Sequence, residues 1–134
     1  MEVIDIAKNQ VAVNNWQIKR DVSIIFVNWC FEQVGLNLVN YTNSIDAYEN
    51  CLKIGKKVYR GRLKSGDICF FKTEEQCSVG LFLKDGGNDE KFICIEAFIN
   101  DNRDVQVIER VRKYIDCTFV RPDELEEKPK TKKK

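Results

Sequence analysis

The sequence predicts an α+β domain in which N-terminal helices pack on an antiparallel sheet of about five strands. Three observations carry that prediction. Apolar residues recur at three- and four-residue spacing only in the first part of the chain. From residue 63 onward the texture changes to short apolar runs separated by turn residues. No internal repeat relates the two parts, and segregated helices and strands are the mark of an α+β layer architecture. At 134 residues the chain can bury one core, so a single domain is expected over residues 1–123. From Glu124 to the end, charge and Pro129 predict a disordered tail, residues 124–134.

The elements follow in order. Residues 2–12, EVIDIAKNQVA, place Val3, Ile4, Ala7 and Val11 on one helical face. The Asn14-Asn15 pair ends that helix, and residues 14–20 form a short connection holding Trp16 as a core plug. The stretch Asp21 to Gly35, DVSIIFVNWCFEQVG, has the strongest helical pattern, with Val22, Ile25, Phe26, Trp29, Cys30 and Val34 on one side. Asp21 caps its start, and Gly35 can take the left-handed conformation that closes it. Ser23 falls in the first turn, where free amides and the helix dipole favour a developing anion. After an irregular segment, Ser44 caps a second short helix outlined by Ile45, Tyr48, Cys51, Leu52 and Gly55.

Strands are expected at Ile68–Phe71, Ser78–Leu83, Phe92–Ile99, Val105–Val111 and Tyr114–Val120. Lys64-Ser65-Gly66-Asp67 is a turn, and Asp85-Gly86-Gly87-Asn88 signals a hairpin. Between the helices and the sheet, Lys53, Lys56, Lys57, Arg60 and Arg62 form a basic cluster, extended by Lys64, that could meet an acidic partner.

Composition excludes several functions. No apolar run approaches the roughly 20 residues that span a membrane, and the N-terminus lacks the order of a signal peptide, so a cytoplasmic protein without membrane contact is expected. The net charge of +1 includes five tail lysines, Lys128, Lys130, Lys132, Lys133 and Lys134. No aromatic or arginine residue is interleaved among them for base stacking, so no nucleic-acid partner is expected. Six cysteines, Cys30, Cys51, Cys69, Cys77, Cys94 and Cys117, are widely spaced and mostly apolar in context. They read as core thiols, with no metal and no cofactor implied. The chain contains no histidine, which removes every mechanism that uses imidazole as base or ligand. It also has no phosphate-binding glycine loop and no nucleophile elbow.

Several landmarks, in this order, resemble the papain-like cell-wall peptidases and amidases of the CHAP and NlpC type, especially those of phage endolysins. VIDIAKNQV resembles their opening helix, and DVSIIFVNWCFEQVG their nucleophile helix, usually PWCAxFVSWCxxxxG. LKSGDICFF resembles their KPGDIxFF turn and strand, SVGLFL their HVGIV strand, and FVRP their closing YxRP. The similarity runs from about residue 2 to residue 122. It implies a papain-like fold and a site in which a cysteine at the helix start is activated by a histidine on the facing strand, itself oriented by a Glu or Asn.

Carried onto this chain, the nucleophile position falls on Ser23, the base position on Ser78, the orienting acid on Glu96 and the usual Asn on Phe98. No catalytic residue is therefore expected, because a serine hydroxyl is far less ionised than a thiol and general-base help is worth about 10²–10⁴ in rate. The loop that shapes the substrate groove in such enzymes is shortened here to about seven residues. The resemblance thus implies a pseudoenzyme kept as a binding or assembly module, for a protein partner within a phage particle or as an inhibitor of a host factor. The alternatives are peptidoglycan-fragment binding in a remnant cleft around Ser23, Ser78 and Glu96, or a Ser-Lys or cysteine-dependent enzyme on the same frame.

Overall fold

A computed structural model describes residues 2–11, 22–35, 55–72, 77–99, 102 and 104–122. Two helices, α1 (Val3–Asn9) and α2 (Val22–Gln33), precede six strands: β1 (Gly55–Val58), β2 (Ile68–Lys72), β3 (Cys77–Asn88), β4 (Lys91–Ile99), β5 (Val105–Lys113) and β6 (Thr118–Pro122). The strands form one antiparallel sheet in the order β1-β6-β2-β3-β4-β5. The α+β class stands, with six strands in place of about five.

The additional strand is β1, within the basic cluster. Lys56 and Lys57 pair with Arg121 and Val120 of β6, so Gly55, expected at the end of a helix, opens a strand instead. The remaining residues of that expected helix, with Trp16, Asp21, Ser44, Lys53, Cys51 and the tail, lie outside the described residues. The hairpin turn also moves. β3 continues through Asp85-Gly86-Gly87, and Asn88 pairs with Lys91, leaving Asp89-Glu90 as the turn; a register shift between Asp85 and Asn88 absorbs the two glycines, and another falls at Leu83. Tyr114–Asp116 is a 3-10 turn and not the start of a strand, because it carries the chain from β5, at one edge, back to β6 between β1 and β2.

Both faces of the sheet are covered, which accounts for the unbroken apolar run Ile68-Cys69-Phe70-Phe71 where alternation would mark a half-exposed strand. One face packs on the helices: Val79, Leu81, Ile95, Ala97, Val105 and Val107 meet Val3, Ala7, Phe26, Val27, Cys30 and Phe31. The α1 face predicted from Val3, Ile4, Ala7 and Val11 is the one that meets this core. The α2 face shifts. Ile24, Val27 and Phe31 are buried with Val22, Phe26 and Cys30, whereas Ile25, Trp29 and Val34 are only half-buried. A helix lying on β3 and β4 and flanked by α1 is covered over more of its circumference than a single stripe describes. Gly35 does adopt the left-handed conformation, with φ of 82°.

The other face holds an aromatic cluster centred on Phe92. Its ring lies 5.0 Å from Tyr114, 5.2 Å from Phe119, 5.8 Å from Phe82 and 6.1 Å from Phe71. The turn carrying Tyr114 and Cys117 closes over this cluster, together with Leu63. The sheet therefore separates an aliphatic core under the helices from an aromatic core under the β5–β6 connection.

Candidate functional site

The site is set by where β3 and β4 stop pairing. Their ladder runs from Asn88–Lys91 to Leu81–Ile95. Beyond that point Cys77–Gly80 are registered with β2 and Glu96–Ile99 with β5. The four positions carried over from the resemblance all lie at this divergence.

Ser23 is the second residue of α2 and is buried. Its Oγ accepts a hydrogen bond from the Val79 N–H at 3.2 Å, so the helix start sits directly on β3, one residue from Ser78. The two serines do not face each other. Cys77, Val79 and Leu81 belong to the core beneath α2, and strict alternation places Ser78 on the other face with its cross-strand partner Phe71. Glu96 shares that far face. A Cβ on Gly80 would stand 2.7 Å from Glu96 Cγ and 3.0 Å from the Ile95 carbonyl oxygen, so the close approach of β3 to the Glu96 stem requires glycine. Phe98, two residues along β4, lies on the same face as Glu96, with the Arg110 guanidinium 5.3 Å from its ring centre. The structure therefore gathers Ser78, Glu96 and Phe98 on one face and brings Ser23 to the strand from the opposite side.

Glu96 is the most heavily used group there. Only 1% exposed, it accepts from Arg112 Nε at 2.7 Å and Arg112 Nη2 at 2.9 Å, a bidentate pair. Arg110 Nη1 lies 3.7 Å from Oε1, and the Cys94 thiol donates to Oε2 at 3.1 Å. The hydrogen bonds to Glu96 hold Arg112 above the ordinary arginine value, so it stays charged, and its guanidinium stacks 4.2 Å from the Phe71 ring centre. A carboxylate saturated by two arginines is an anchor for strand β5.

Four of the thiols are poor nucleophiles. Burial pushes Cys30 up to about 12, and burial, only partly offset by Lys72, pushes Cys77 up to about 11. Cys69 and Cys94 rise further, again chiefly through burial. All four are protonated at neutral pH, and a thiol attacks as its thiolate. Among the described residues no group of three or more cysteines and carboxylates is arranged to hold a metal ion, and no helix is long and apolar enough to cross a membrane.

Of the basic cluster, Lys53 lies outside the described residues. Lys57, Arg60 and Arg62 are exposed, and Lys56 is part of β1. Arg60 stacks 4.0 Å from the Tyr114 ring centre and donates to the Asp89 carbonyl, while the Tyr114 hydroxyl donates to Asp85. Arg60, Asp85 and Asp89 border a surface cleft of about 440 Å³ with Gly61, Gly87 and Asn88, and Asn88 Oδ1 there accepts from the Glu90 N–H.

Sequence reasoning missed the arginines that organise this region. Arg110 and Arg112, two apart in a strand, necessarily share a face, and an acid on the neighbouring strand was their legible partner. It also missed a second buried pair: Arg121 Nε and Nη2 each donate at 2.7 Å to Asp67, which is 2% exposed and also accepts from the Lys64 N–H at 2.8 Å. That pair joins the LKSGDICFF turn to the FVRP strand. A scan against protein-family models finds no match, and no curated protein sequence matches the chain.

Proposed function

We propose that this chain is a papain-like frame of the cell-wall peptidase and amidase kind that no longer cuts and serves as a binding module for a protein partner. The observation that carries the reading is the state of Glu96. The carboxylate that the resemblance assigns to orienting a catalytic base is buried against Arg112, Arg110 and Cys94, and the resemblance assigns the base itself to Ser78. The hydroxyl at the helix start, on Ser23, is engaged by a backbone amide across the strand from that carboxylate. With no histidine anywhere in the sequence, no imidazole is there to take a proton from a nucleophile.

Two measurements test this together: release of soluble muropeptides from purified peptidoglycan, and labelling by a fluorophosphonate. The expected outcome is neither turnover nor labelling. Turnover that disappears in Ser23→Ala would overturn the proposal and restore a serine-based enzyme. Calorimetry with muropeptide fragments separates the two binding readings: no heat is expected, and a saturable signal would favour peptidoglycan-fragment binding.

A further inference from the structure

The face of the sheet that carries the aromatic cluster also gathers three thiols. Cys69 on β2 and Cys94 on β4 flank Gly80 of β3, which is registered with Cys69, and a Cβ on Gly80 would lie 3.5 Å from Cys94 Sγ. Cys117 joins the same cluster from the end of the 3-10 turn. What holds each thiol differs. Cys94 is fully buried and donates to Glu96 Oε2 at 3.1 Å, inside the Arg112 network. Cys69 is also fully buried, and after burial its contact with the Cys117 side chain is the main cause that keeps it protonated. Cys117, alone of the three, is half-buried. The carbonyl contacts of the last two sulfurs, Asp67 at 3.9 Å for Cys69 and Thr118 at 3.6 Å for Cys117, are long and easily given up.

Register places Cys69 opposite Phe119, so Cys117 is its diagonal neighbour two residues back along the chain. Diagonal Cα atoms in such pairs lie about 7–8 Å apart, and disulfides close at up to about 6.8 Å. The short remaining approach falls to a residue outside the ladder: the pairing of β2 with β6 ends at Phe70–Thr118, and Cys117 follows the turn Tyr114–Asp116.

We propose that Cys117 and Cys69 form a reversible disulfide, with a low-molecular-weight disulfide as oxidant, that fastens the β5–β6 connection to the centre of the sheet. The Cys117 thiolate attacks one sulfur of the oxidant, whose S–S bond breaks and releases a small thiolate that takes up the proton Cys117 lost. Cys69 then attacks Cys117 Sγ in the mixed disulfide, and the second small thiolate leaves with the Cys69 proton. The two protein thiols are oxidised, and one small disulfide is reduced to two thiols. Cys69 resolves the mixed disulfide through position and not through acidity, because it is already held against Cys117. The bridge anchors the turn whose Tyr114 ring covers Phe92, and so holds the cover of the aromatic core in place. It goes beyond the binding-module reading and does not depend on it.

The test is treatment of the full chain with oxidised glutathione, quenching by alkylation, and peptide mapping by mass spectrometry without reduction. The expected product is lighter than the reduced chain by the two thiol hydrogens, carries a crosslink between the Cys69 and Cys117 peptides, and reverts with dithiothreitol. Its melting temperature should rise, and amide exchange in Tyr114–Thr118 should slow. Cys69→Ala should instead trap one glutathionyl group on Cys117, and Cys117→Ser should leave Cys69 unmodified. Cys94→Ala should bridge as the unaltered chain does. A crosslink between any other two cysteines in place of this one, a mixed disulfide that persists on the unaltered chain, no reaction at Cys117, or a bridged chain that melts no higher than the reduced one would each overturn the proposal. Mapping of the unaltered chain decides the matter even where a variant does not fold. None of these outcomes bears on the peptidoglycan assay, so the bridge and the loss of catalysis fail separately.

Discussion

Glycine 80 illustrates how one residue without a side chain permits a charged one to be buried. Glu96 lies over it so closely that a methyl group would meet both the carboxylate stem and the Ile95 carbonyl oxygen. One of those contacts is backbone and cannot swing away. Gly80→Ala is therefore expected to destabilise the domain by about 2 kcal/mol, in the range for overpacked cores, measured as a shift in the urea midpoint at unchanged slope. An unchanged midpoint would mean that β3 and Glu96 separate at little cost. Ser23 and Ser78 teach a complementary lesson at this scale. That α2 meets β3 is consistent with the expected packing of helix on sheet, but the orientation of the two serines was not legible, because successive strand residues, Ser78 and Val79, face opposite sides.

Between elements, the Asp67–Arg121 pair joins the turn before β2 to β6. Asp67 also accepts the Lys64 amide, its carbonyl accepts the Phe82 N–H, and Arg121 reaches the Arg62 carbonyl at 3.0 Å. This geometry ties the central β2–β3 hairpin to the strand that returns from the far edge. Removing one partner leaves a buried charge uncompensated, so Arg121→Met should cost about 3 kcal/mol. Arg121→Met with Asp67→Leu together should cost less than the sum of the two single changes. A double-mutant cycle in denaturant measures this, and strict additivity would show that the pair contributes only packing. Neither motif, taken alone, announces the other. They are 54 residues apart in sequence, and antiparallel pairing of β6 with β2 brings them together.

For the molecule as a whole, the buried thiols set the response to alkali. Cys30 rises from 9.0 to about 12 and Cys77 to about 11, both because burial disfavours the thiolate. A thiol that binds its proton more tightly when folded stabilises the fold fully below the unfolded value, near pH 9. That contribution is lost as pH climbs through the folded value. Stability should therefore decline from about pH 9 to about pH 12, by up to about 1.4 kcal/mol per pH unit for a thiol as enclosed as Cys30, read as a falling melting temperature. Tyr114, raised to about 12 by desolvation and then by its bond to Asp85, acts in the same direction. Cys30→Ala should start from a lower melting temperature and show a shallower alkaline slope. An unchanged slope would acquit this thiol.

By itself the sequence determined the α+β class, the helical start, the central strands and the helix face of α1, since these follow from periodicity within short windows. It determined as well that imidazole chemistry is absent, since a missing residue type needs no coordinates. The tertiary structure decided that Gly55–Val58 is a strand, that α2 is covered on several sides, and that Glu96 is committed to Arg112 and Arg110 on the face away from Ser23. The physical reason is the same in each case: these depend on which segments lie side by side, and a partner's burial or charge can override a local pattern. Periodicity records what a segment can bury, and packing chooses what it buries against.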